Sequence, residues 1–159
     1  MEFQPLATDA GQPIPLDIDR PFHYPLTVSQ EDCDAQNHVN NAVYIQWMDK
    51  AAYAHSSSVG YDWKRLQELC ATFVVRRHEI DYLAPTFAND RLVVATWPCV
   101  MKRFNATRRH QIVRLSDGIT VARAHTQWIY LDTKTGRPKR MPEEMILAFE
   151  PRDSANSSS

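Results

Sequence analysis

One long apolar helix, with almost nothing but strands after it, limits how this chain can fold more than any other feature. From about Asn41 to about His55, Ala42, Ile45, Met48 and Ala52 recur at the spacing of one helical face, and Tyr44, Trp47 and Ala51 widen it. So wide a face predicts a helix packed over most of its surface. Gly60 in "SSSVGYDW" is a stop signal, and "DWKRLQEL" adds a short second helix. Thereafter Thr72 to Leu83, Asp90 to Met101, Asn105 to Ser116 and Ile119 to Asp132 are dense in β-branched and aromatic residues, as strands are. Asp117-Gly118 is the sharpest hairpin signal between them. Before the helix, "FHYPLTVS" (Phe22 to Ser29) reads as a first strand, with Pro25 placing it at an edge or a strand start. After the strands, "PEEMILAF" reads as a final helical turn or a cap strand.

A chain of 159 residues holds one domain with one core. With one wide helix and one sheet, that sheet must wrap around the helix, which is an α+β architecture with a single central helix. The expected organisation is a flexible N-terminal arm over 1–19, a single domain over 20–150 and a disordered polar tail over 151–159.

Eighteen basic against nineteen acidic residues give a net charge of -1, which argues against a globally basic nucleic-acid binder. No apolar run is long enough to span a bilayer, and the first twenty residues lack the pattern of a signal peptide. Cys33, Cys70 and Cys99 are too few and too scattered for a disulfide framework or a CxxC metal site. Free thiols in a reducing cytoplasm, with neither a nucleic-acid nor a membrane partner, are the expectation.

The chemistry-bearing residues crowd into "DAQNHVNN", which runs straight into the helix. Asp34 lies seven residues before Asn41, too early to cap the helix as placed, whereas Asn40 or Asn41 sits where a cap belongs. A first-turn N–H at Asn41 would also offer a free donor at the positive end of the helix dipole. His38 has a side chain that titrates near neutrality, suited to holding a carboxylate or donating to a carbonyl or water. Asp34, His38, His55, His78 and Glu79 show no metal-ligand spacing, so no metal is expected.

The segment "DxxxHVNNxxY", carried by Asp34, His38, Val39, Asn40, Asn41 and Tyr44, enters a long helix followed by four strands. It resembles the hotdog-fold thioesterases of the 4-hydroxybenzoyl-CoA and acyl-CoA/acyl-ACP thioesterase superfamily. "EIDYLAPTFANDRLVV" (Glu79 to Val94) looks like that group's connection from second to third strand, and the resemblance covers roughly Phe22 to Asp132. It implies the hotdog fold, a long central helix wrapped by a curved antiparallel β-sheet. It also implies a homodimer or homotetramer, with active sites between subunits.

The implied activity is hydrolysis of an acyl-CoA or acyl-carrier-protein thioester, with coenzyme A as part of the substrate and no other cofactor. Asp34 is then nucleophile or general base, the Asn41 backbone N–H the oxyanion donor, His38 an accessory group, and Gln36 a side chain orienting water. Tyr44 and Met48 would set the depth of the acyl pocket. Arg76, Arg103 and Arg108, as surface cations, would bind the phosphates of coenzyme A.

There are departures. Relatives often have Gly at the position of Asn37, and plant-type relatives have Asn at that of Gln36. Plant-type relatives also place a catalytic Glu near the position of Thr86, which leaves Glu79 as the nearest glutamate. The rival readings are a hotdog dehydratase or hydratase, and a non-catalytic acyl-thioester binding protein.

Overall fold

The long helix α1 (Asn41–Ser58) runs one turn beyond the expected end. The Ser58 hydroxyl donates to the His55 carbonyl at 2.7 Å, and Gly60, at φ +94°, turns the chain out of the helix. The computed structural model describes residues 4–153. In it, the buried stripe of α1 is Tyr44, Trp47, Met48, Ala51 and Ala52, at i, i+3, i+4, i+7 and i+8. Ala42 is exposed and Ile45 half-buried, so the expected face is rotated and narrower. Gln46, Asp49 and Lys50 occupy the opposite, solvated side, which periodicity alone had not weighed.

The strands are β1 (Phe22–Thr27), β2 (Ala71–Tyr82), β3 (Arg91–Lys102), β4 (Asn105–Arg114) and β5 (Thr120–Asp132). Short α2 (Trp63–Glu68) and α3 (Glu143–Phe149) complete the elements, α3 settling "PEEMILAF" as helix. The sheet is antiparallel, in the order β1-β3-β4-β5-β2. β1 lies at one edge, with Pro25 opposite Val93. This is the α+β hotdog architecture expected from the sequence.

The β4–β5 connection turns at Asp117-Gly118, but over five residues rather than two. The Asp117 carboxylate accepts the Ile119 N–H and a bidentate contact from Arg114, which holds its carboxyl below the usual range. Gly118 has φ +74°, and a β-carbon there would stand 3.0 Å from Thr8 Cγ2. Only glycine satisfies both demands.

Packing divides the described residues into two compact units, each with its own apolar cluster. One comprises 4–51, Ile80–Thr96 and His110–Arg123, with Ile14, Val93 and Val113 buried together. The other comprises Ala52–Glu79, Trp97–Arg109 and 124–153, with Tyr61, Leu66, Tyr130, Met141, Met145 and Phe149 at its centre. Within the stretch expected as a loose arm, Pro15 and Asp17 meet residues of the first unit. Buried Gln111 accepts the Asp17 N–H at 2.8 Å and donates to the Pro15 carbonyl at 3.3 Å. The Asp17 carboxylate takes a two-pronged contact from Arg123 at 2.8 and 3.0 Å. Composition missed these anchors because they are single residues, without period. Most of the tail expected to be disordered, from residue 154 on, lies outside the described residues. No helix among the described residues is long and apolar enough to cross a membrane.

Candidate active site

The polar knot before α1 folds as a closed loop on a small platform. Ser29 and Asp32 form a reciprocal capping box around a single helical turn, Gln30–Asp32. Cys33 and Val39 then pair as an antiparallel bridge, closing the residues between them into a tight loop. Asp34 Oδ1 accepts the N–H of Gln36 at 2.9 Å and of His38 at 3.2 Å. The Asp34 N–H in turn donates to the His38 carbonyl at 2.8 Å. Asn37 sits at φ +66°, the left-handed turn position its residue type suits, and its side chain accepts from Gln30 Nε2 at 3.0 Å. Asp34 therefore orders its own loop through one carboxylate oxygen, while Oδ2 meets no protein donor among the described residues.

At the helix start the N–H groups are shared out unequally. Asn40 is the cap: its Oδ1 accepts the Ala42 N–H at 3.1 Å and its carbonyl accepts the Val43 N–H at 2.9 Å. Asn40 is itself held by the Asp32 carbonyl at 3.0 Å. The Asn41 N–H meets no acceptor among the described residues. Asn41 is also one of the residues walling a cavity of about 250 Å³, with His38, Val39, Tyr44, Tyr82 and the Leu83–Thr86 segment.

Thr86 anchors this cavity from below. Its hydroxyl lies 2.7 Å from the Tyr44 hydroxyl, and its carbonyl accepts the Val39 N–H at 3.2 Å. Tyr82, at the end of β2, donates its hydroxyl to the Asn41 carbonyl at 3.0 Å, and its ring meets Tyr44 edge to face at 5.1 Å. Burial pushes both phenols above their ordinary range, so both stay protonated donors at neutral pH. Arg114 pins the same wall by donating to the Pro85 carbonyl at 2.8 Å.

The expected site residues are distributed as follows. His38, Asn41 and Tyr44 line the cavity; Asp34 and Gln36 belong to the loop beside it. His38 meets Asp34 through its main chain and not its ring, which instead lies edge-on to Phe87 at 5.5 Å. Met48 is wholly buried and absent from the cavity wall, so it is a core residue. Arg76 and Arg103 are exposed strand and turn residues that do not line it either. Arg108 is no surface cation: it is buried, with Nη1 3.1 Å from His55 Nδ1. Burial lowers its pKa to about 10, and a coenzyme phosphate in solvent has no access to it. Glu79 is engaged by Arg77 and, at 3.0 Å, by His125. No three His, Cys, Asp or Glu side chains among the described residues converge as a metal site requires.

Tyr82 and Thr86 were absent from the expected set. Tyr82 ends a strand in which nothing distinguishes a site residue from an edge residue, and a lone threonine in a connection carries no pattern.

Comparison with known proteins agrees with this architecture. Acyl-CoA thioester hydrolase YbgC of Escherichia coli is 23% identical over 129 residues, covering 81% of this chain and 96% of that protein. The solved structure of Slr0204, a 1,4-dihydroxy-2-naphthoyl-CoA thioesterase from Synechocystis, superposes with a TM-score of 0.75 at 19% identity, covering 82% of this chain and 96% of that one. SAV2348 from Staphylococcus aureus, solved in complex with CoA, gives a TM-score of 0.78 at 16% identity over 89% of this chain and 96% of that one. Residues 28–149 match the thioesterase-like superfamily as a family, a span holding the polar loop, α1 and the whole sheet from β2 to β5. By that span, the chain belongs to the thioesterase-like superfamily.

Proposed function

We propose that this protein hydrolyses acyl-CoA thioesters to the free acid and coenzyme A, with acyl-carrier-protein thioesters as the competing carrier. One observation carries the reading: Asn41 lines a cavity at the start of α1 and its N–H has no acceptor among the described residues, while the Ala42 and Val43 N–H groups are capped by Asn40. A donor fixed at the positive end of a helix stabilises the oxygen that becomes negative when a thioester carbonyl is attacked. Relatives named as acyl-CoA thioester hydrolases and a structural neighbour solved with CoA support the substrate class.

Asp34 supplies the attacking group, its Oδ2 being the carboxylate oxygen that the loop leaves open. Either that oxygen adds to the carbonyl carbon and expels the CoA thiolate, giving a mixed anhydride that water then cleaves, or it takes a proton from the attacking water. Both routes need only this chain and water. A single turnover in ¹⁸O-labelled water that leaves label in the Asp34 side chain establishes the anhydride route with water attacking the aspartyl carbonyl; label in the free acid alone fits either route.

The assembly is a second copy joined along β2. This strand of twelve residues is paired on one side only, and it ends at Tyr82, with Leu83 and Phe87 exposed beside the cavity. A bare edge of that length calls for a partner. The free thiols Cys33, Cys70 and Cys99 favour a reducing, cytoplasmic setting.

The test is thiol release from a panel of acyl-CoAs by the wild type and by Asp34→Asn. Asparagine keeps an oxygen for the Gln36 and His38 N–H groups, so the loop should survive while turnover falls by at least about a thousandfold. No cleavage by the wild type, or normal turnover by the variant, would refute the proposal. Gel filtration at the mass of an 18.3 kDa monomer would refute the assembly.

A further inference from the structure

The hydroxyl of Tyr82 has no part in the reaction as described, yet it is bonded to the residue that carries the oxyanion donor. Its O–H donates to the Asn41 carbonyl at 3.0 Å. In a helix, the first-turn carbonyl already accepts the N–H four residues on, so the phenol occupies that oxygen's second lone pair. The same residue thus has its carbonyl fixed from outside the helix and its N–H left open.

The rest of the helix start is held from the other side. Tyr44 is bonded at 2.7 Å to buried Thr86, and the Val39 N–H is bonded to the Thr86 carbonyl. Tyr82 supplies a contact from outside the helix that reaches Asn41 itself, and its ring is steadied against Tyr44 at 88°. First turns fray readily, because their N–H groups have no intrahelical partners. The Asn41 N–H lies in the Asn40–Asn41 peptide plane and its carbonyl in the next plane, so fixing that carbonyl limits how far the two planes can turn about the Asn41 Cα, and the N–H with them.

The geometry points to Tyr82 as a positioning residue for thioester hydrolysis: its hydroxyl fixes Asn41 so that the Asn41 N–H is aimed where the oxyanion forms. This inference rests on the proposed hydrolysis and on Asn41 as donor. Tyr82 does not touch the reacting atoms; it acts through Asn41. Within one chain Tyr82 is 43% exposed, so its hydrogen bond adds little to the stability of that chain's fold. The effect belongs in the chemical step: a donor displaced by a fraction of an ångström loses transition-state stabilisation while the ground-state complex still forms.

The experiment compares Tyr82→Phe with wild type and with Asp34→Asn, reading kcat, KM and Tm on one acyl-CoA. Phenylalanine keeps the ring contact with Tyr44 and deletes only the hydroxyl. The expected result is a kcat lowered by about tenfold or more, with KM within about twofold and Tm unchanged. A kcat within twofold of wild type overturns the inference. So does a loss of activity that comes with a lowered Tm or is confined to KM, since each marks a structural or binding role. If Asp34→Asn is dead while Tyr82→Phe matches wild type, positioning alone fails and hydrolysis stands. If wild type cleaves no thioester, the proposed function falls and the positioning role falls with it.

Discussion

Acidification should weaken this protein in part through the half-buried imidazole of His55, and a single substitution should remove that part. His55 lies near the end of α1 with Arg108 Nη1 3.1 Å from its Nδ1. A guanidinium only donates, so Nδ1 accepts and the ring's proton sits on Nε2. Burial, then the charges of Arg108 and Arg152, push the His55 pKa from 6.5 to about 4. The unfolded chain, with its ordinary value, therefore takes up this proton first as pH falls. The contribution is fully present above pH 6.5, is lost progressively below it, and is gone near pH 4.

That gap caps the total at ~3.4 kcal/mol, of which ~1.8 kcal/mol falls between pH 7 and pH 5. His55 is only partly enclosed, and solvent screening reduces the latter figure to about 1 kcal/mol. In His55→Asn the side-chain oxygen can take the place of Nδ1 as acceptor for Arg108, but it cannot be protonated. Urea unfolding of both proteins at fixed concentration, at pH 7 and pH 5, reads the difference directly. Wild type should lose about 1 kcal/mol more than the variant. His23, whose pKa burial also lowers, is common to both and cancels. Equal losses in the two proteins would refute the argument.

The backbone donor predicts an unusual pattern at Asn41. Asn41→Ala should keep kcat within about threefold of wild type, whereas Asn41→Pro, at the helix position that best tolerates proline, should keep the fold and lose about a hundredfold or more in kcat. Steady-state kinetics with circular dichroism checks both. At the β4–β5 turn, Gly118→Ala should cost about 1–2 kcal/mol, because φ is +74° and the new methyl would meet Thr8. A thermal melt indistinguishable from wild type would show that the turn relaxes freely.

The sequence carried the element order because each element has its own period: 3.6 along α1, and β-rich runs for the strands. It carried the chemistry of the Asp34–Asn41 stretch because polar residue types cluster there without interruption. It could not show that Arg108 is buried. On β4, Ala106, Arg108 and His110 all turn inward, and a charged residue at an inward position looks like any other member of an alternating run. Nor could it show that Thr86 and Tyr82 meet the helix start, since those contacts join residues about forty positions apart. The contacts of the N-terminal stretch are illegible for a related reason: Ile14 and Asp17 each meet partners far along the chain.

The way Asp34 is held has an evolutionary consequence. One of its oxygens organises the loop and the other is the one proposed to react. Asparagine, a single-nucleotide step from aspartate, would preserve the first role and abolish the second. A lineage could therefore cross from enzyme to acyl-thioester sensor in one step, with its architecture unharmed and little selection against the intermediate. In a homologue of this chain, the identity of that one side chain would separate a catalyst from a receptor where overall likeness could not.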